Sequence, residues 1–141
     1  MVNSGFQVIY HGISIILSEV NYPMTALNSE TEKLQAYRAV IKQLLTDYAA
    51  YKPSYGDIEV QTLFDSKHDH YQVLAIGWYN KQRIYGCSMH LDLKQGKIWI
   101  QVNNTELDIA QNLVERGIPK EDIVIGFHPP HFRRFSGYAI A

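Results

Sequence analysis

At 141 residues the chain has room for one domain and not for two ordinary ones, and a chain of this length buries enough surface to fold without a metal or a disulfide. Its 46% hydrophobic and 12% aromatic content excludes a disordered polymer, because that much apolar bulk offsets the entropy of ordering the backbone. Thirteen basic against fourteen acidic side chains leave a formal charge of −1, which argues against a free-standing nucleic-acid binder: neutralising many phosphates takes a basic excess.

Residues 1–23, MVNSGFQVIYHGISIILSEVNYP, contain no Lys or Arg and a single acid, Glu19. The apolar run Ile13–Leu17 has no cationic flank and is far too short for a membrane span, so neither a signal peptide nor an anchor is expected there. Met24 follows at once, which makes 1–23 an extension, loosely attached or non-native, ahead of a single domain over 24–141; an extra strand is the alternative. The lone Cys87 rules out an internal disulfide and points to a reducing compartment, hence a cytoplasmic protein.

Ser29-Glu30-Thr31-Glu32 has the spacing of a capping box. Leu34, Tyr37, Ile41, Leu44, Leu45 and Tyr48 then recur at three- and four-residue intervals, predicting a helix over Glu30–Ala50 with Lys33, Arg38, Lys42 and Asp47 on its wet side. Four alternating runs follow: Asp57–Asp65, Tyr71–Tyr79, Arg83–Leu93 and Lys97–Val102. Their connections are too short for parallel crossovers, so they predict a four-stranded antiparallel meander with the helix over one face. Thr105 is the candidate N-cap of a second helix that ends near Gly117. Ile123-Val124-Ile125 reads as a short buried strand or extended run. Pro129-Pro130 withholds two amide donors, so the end of the chain is expected to be an extended strap. The fold class is α+β.

Along this order the segments YRAVIKQLLTDYA, PSYGDIEVQTLFD, DHYQVLAIGW, HLDLKQGKIWIQ, TELDIAQNLVERGIPKEDIVIGFHPP and GYAIA resemble the XisI family, cyanobacterial proteins called fdxN element excision controlling factors. The resemblance runs from about Leu34 to Ala141. It implies a small α/β domain that helps control excision of a DNA element, with an XisH-like companion protein and a recombinase as partners. XisH resembles endonuclease-like folds, so an inhibitor-like or guiding role toward such a companion is a further implication. No catalytic motif comes with the family, and no enzyme or cofactor is implied.

Candidate chemistry is sparse. His68, His70 and His90, with Asp65, Asp69 and Asp92, form the one cluster that could hold a metal. With Asn80-Lys81 centring the hairpin, His70 falls nearly opposite Leu91, near His90, but a one-residue slip reverses the facing. These residues lack a recognised zinc spacing, and imidazoles bonded to nearby carboxylates are the favoured reading. Cys87 sits mid-strand without a base beside it, and Gly86 and Gly96 form no phosphate-binding pattern. Trp78, Trp99, Tyr71, Tyr79 and Tyr85 could stack bases, but most are expected in the core. That leaves the C-terminal stretch. Phe127, Phe132, Phe135, Tyr138 and Ile140 are expected to pack on the sheet while the arginines stay wet, and His131, Phe132, Arg133, Arg134 and Phe135 form the candidate partner-binding surface. Direct nucleic-acid binding through the same arginines is the alternative; a homo-oligomer is compatible with either.

Overall fold

The computed structural model describes residues 7–10, 13–16 and 29–141, with side chains from residue 30 onward. Strands β1 (Gln7–Tyr10) and β2 (Ile13–Ile16) pair antiparallel as a small ribbon. The Met24 start and the boundary at residue 23 lie outside the described residues, as does any capping bond from the Ser29 side chain. Helix α1 runs Ser29–Ala49. Strands β3 (Asp57–Asp65), β4 (His70–Tyr79), β5 (Gln82–Lys94) and β6 (Lys97–Asn103) form the expected antiparallel meander. Asn80 and Lys81 both take positive φ in the two-residue β4–β5 turn, as do Gln95 and Gly96 between β5 and β6, which is the backbone that matches strand twist in tight hairpins.

Helix α1 covers one face of this sheet. Tyr37, Ile41, Leu44 and Leu45 from its predicted stripe are buried against Tyr71, Val73, Met89, Leu91, Ile98 and Ile100. Its polar side is less wet than the sequence suggested. The Arg38 guanidinium pairs bidentately with Asp69 at 2.7 and 3.0 Å, and Lys33 pairs with Asp122 at 3.3 Å. The buried Tyr37 hydroxyl also donates to Asp122, so the first half of the helix is tied to the loops that carry Asp69 and Asp122.

The second helix, α2, spans Ile109–Glu115 and is capped by Asp108, whose carboxylate accepts from the Gln111 amide. Thr105 instead closes the turn before it, its hydroxyl accepting from the Leu107 amide. Gly117, at φ +97°, and Ile118 end α2 with paired bonds from their amides to the Val114 and Leu113 carbonyls, a Schellman termination with Ile118 packed back into the core.

A short 3-10 turn, Lys120–Asp122, leads into β7 (Ile123–Ile125), which adds a fifth strand parallel to β6. The meander is therefore part of a mixed five-stranded sheet, since the helix-bearing crossover through α2 is long enough to return the chain in the same direction. The predicted extended strap is corrected at its centre: Pro130–Arg133 makes one helical turn, α3. Pro129 is extended, but Pro130 occupies the first turn, where a missing amide costs nothing and its fixed φ suits a helix. The tail then returns to the sheet, where the Ala139 amide donates to the Ile123 carbonyl at 2.8 Å.

Candidate functional site

Two surfaces gather the residues singled out by the sequence. The first is the C-terminal segment, where the expected roles of phenylalanine and arginine are partly exchanged. Arg133 faces inward. Its guanidinium donates to the carbonyls of His128, Gly126 and Ile140 and lies 5.2 Å from the centre of the Trp99 ring. Five guanidinium donors suit this, because one side chain can satisfy several loop carbonyls left without strand partners. Phe132 and Phe135, by contrast, are 54% and 72% exposed, and Phe127 and Ile140 are exposed too. With His128, Pro129 and Ser136 the two phenylalanines line an open groove of about 330 Å³. Arg134 lies over the Phe135 ring at 4.8 Å, and His131 packs beside Phe132. Of the five predicted surface residues, His131, Phe132, Arg134 and Phe135 stand outward; Arg133 holds the segment together.

The second surface is the sheet face opposite α1. Cross-strand register sets it directly. On that face His70 lies opposite Asp92, and Gln72 lies opposite His90. This facing depends on one extra residue. From Tyr79↔Gln82 to Leu74↔Cys87 the hairpin keeps the register set by Asn80-Lys81, but a bulge at Ser88 then moves Val73 opposite Met89. Without it His70 would oppose Leu91, a core residue, and the pair would not form. A second irregularity, between His90 and Leu91 on the β6 side, makes Gln101 the extra residue there and lets its amide reach Asp92.

The resulting cluster is compact. Asp92 Oδ1 lies 2.7 Å from His70 Nδ1 and 2.8 Å from His90 Nε2, while Asp92 Oδ2 accepts from Gln101 at 3.1 Å. The Gln72 amide lies 3.2 Å from His90 Nδ1. Burial pushes the Asp92 carboxyl up, but the bonds from His70, His90 and Gln101 outweigh it and hold it below the ordinary range. The same bond raises the His70 pKa. His68 does not join this group; its ring bonds Asp65 at 2.7 Å in the β3–β4 loop. Asp69 is likewise occupied elsewhere, by Arg38 and by the Tyr71 hydroxyl.

The aromatic expectation is corrected as well. Tyr71 and Trp99 are buried, but Trp78 and Tyr85 are 53% and 69% exposed, and Tyr79 is exposed as well. The Arg83 guanidinium lies 5.3 Å from the Trp78 ring. Cys87 is half-buried, its thiol pushed up by burial and spent on the Met89 carbonyl, so it lacks the activation a nucleophile needs.

Comparison with known proteins decides the lineage. The family model described as XisI protein matches residues 31–140. This chain belongs to the XisI family. A crystal structure of an XisI-like protein from Anabaena variabilis superposes with a TM-score of 0.72 at 44% identity, covering 77% of this chain and 99% of that one. The fdxN element excision controlling factor XisI from the same organism superposes at 0.67 with 33% identity, over 77% of this chain and 99% of its own. No curated protein matches the chain. The XisI match covers α1, the whole mixed sheet and nearly all of the C-terminal segment, so both surfaces lie within the family domain. Among the described residues no helix is long and apolar enough to cross a membrane.

Proposed function

We infer that this XisI-family chain is a non-enzymatic accessory factor controlling excision of a DNA element, and that it acts by binding a protein partner at its C-terminal surface. Family membership and the relative named as an fdxN element excision controlling factor support the first half. One observation carries the second: Phe132 and Phe135 stand bare around a groove, with Arg134 beside them, on a segment that Arg133 and the Ala139 bridge hold rigid. Rigid aromatic anchors flanked by arginine are the composition of interface centres, because they bury much area at little entropic cost. A companion of the XisH type is the partner expected. Balanced charge favours protein over phosphate as the ligand.

The test is co-purification with an XisH-like companion protein. Phe132→Ala with Phe135→Ala, or Arg134→Glu alone, is expected to weaken the complex by about tenfold or more while leaving the melting temperature unchanged. Undiminished binding by all of these variants refutes the proposed surface. A direct electrophoretic shift of DNA by the chain alone, falling steeply with added salt, replaces protein docking with nucleic-acid binding.

A further inference from the structure

We propose that His70, His90 and Asp92 form a binding site for a single first-row divalent transition ion, with Zn²⁺ the best-suited metal, on the sheet face opposite α1. Two imidazole nitrogens and one carboxylate oxygen are the donor set that binds Zn²⁺ and its neighbours, whereas Mg²⁺ and Ca²⁺ favour all-oxygen sites. The three ligand atoms lie within 4.8 Å of one another. In a tetrahedral site with bonds of about 2.1 Å the donors lie about 3.4 Å from one another, so closing on a metal moves the two imidazoles out from Asp92 Oδ1 by about 0.6 Å, from 2.7 and 2.8 Å, and draws the widest-spaced donors in by up to about 1.4 Å. Side-chain rotation on a solvent-facing sheet surface supplies that.

The surroundings strengthen the geometry. Metal ligands are normally held from behind by hydrogen bonds that fix tautomer and orientation. Here Gln101 engages Asp92 Oδ2, which leaves Oδ1 for the ion. The Gln72 side-chain amide lies against His90 Nδ1, which leaves Nε2 for the ion; turned about, the same amide accepts the Nδ1 proton and keeps Nε2 unprotonated. Both supports depend on backbone irregularities, the bulge at Ser88 and the extra residue Gln101. Bulges re-aim side chains in this way at functional sites. The bonds from both imidazoles to Asp92 Oδ1 are then the metal-free arrangement of a pre-assembled ligand set, and the remaining coordination positions open to solvent. The site is separate from the C-terminal docking surface and stands or falls independently of it.

The full chain, purified without a histidine tag, tests this by calorimetric titration with Zn²⁺ and by the visible absorption of added Co²⁺. Binding of one equivalent in the micromolar range is expected, lost in His70→Ala and in Asp92→Asn, weakened about tenfold in Gln101→Ala and unchanged in His68→Ala. Absence of micromolar binding overturns the proposal, as does binding that survives both ligand substitutions. Should Asp92→Asn fail to fold, His70→Ala decides alone, because that ring stands on the solvent side of the sheet.

Discussion

Strand β5 carries two environments in thirteen residues. Met89, Leu91 and Leu93 point beneath α1 and are buried, while Tyr85, Cys87, His90 and Asp92 stand on the face that the helix leaves open. On the covered face the side chains are aliphatic and interlocked. The open face carries aromatics at one end and hydrogen-bonded imidazoles at the other. The covered face holds the fold; the open one is free to carry chemistry. The difference is testable because both faces belong to the same strands and share the same backbone hydrogen bonds.

The largest expected effect comes from emptying the covered face. Leu91→Ala leaves a cavity among fully buried neighbours and is expected to cost about 2–5 kcal/mol in denaturant unfolding. Tyr85→Ala, six residues earlier on the open face, is expected to stay within about 0.5 kcal/mol of the parent. An equal loss from both would mean that something covers the open face in solution, and the comparison would break. A somewhat smaller effect is expected at Gly77, on the covered side of β4. A Cβ there would lie 2.0 Å from the Asp57 carbonyl oxygen and 2.7 Å from Ile58 Cα, so Gly77→Ala must push β3 away. We expect a loss of about 1–3 kcal/mol, read from the same unfolding curves, with the damage confined to the β3–β4 edge.

How much of this was legible in the sequence follows from what sets each feature. The stripe Tyr37–Ile41–Leu44–Leu45 and the alternation of the four strands are periodic, and periodicity survives without knowledge of the neighbours. The second helix is legible, but Thr and Asp are both good caps in isolation, so the sequence offers Thr105 where the structure uses Asp108. The parallel pairing of β7 was not legible in three apolar residues. Nor was the exposure of Trp78 and Tyr85, since alternation marks two faces without saying which one a helix will cover. The His70–Asp92 pairing turned on Ser88, one residue whose bulge has no local signature. The inward turn of Arg133 is hidden for the same kind of reason: its donors answer carbonyls that only the folded tail brings together.

The neighbouring arginines offer the finest version of the comparison, one inward and one outward on adjacent positions. Arg133→Ala removes three donors from loop carbonyls and uncovers part of the Trp99 ring, which is only 8% exposed. Two of its three contacts are long, 3.3 and 3.4 Å, so the cost is expected to be about 1 kcal/mol and local to the tail. Arg134→Ala loses a contact with an exposed Phe135 and is expected to leave stability unchanged. Amide hydrogen exchange separates the two. In Arg133→Ala the Ala139 amide, bonded to Ile123 across the tail, should exchange several-fold faster, whereas in Arg134→Ala it should keep its protection. If both substitutions leave Ala139 equally protected, Arg133 is not what fastens the segment, and the rigidity on which the docking surface relies must come from the tail's backbone bonds alone.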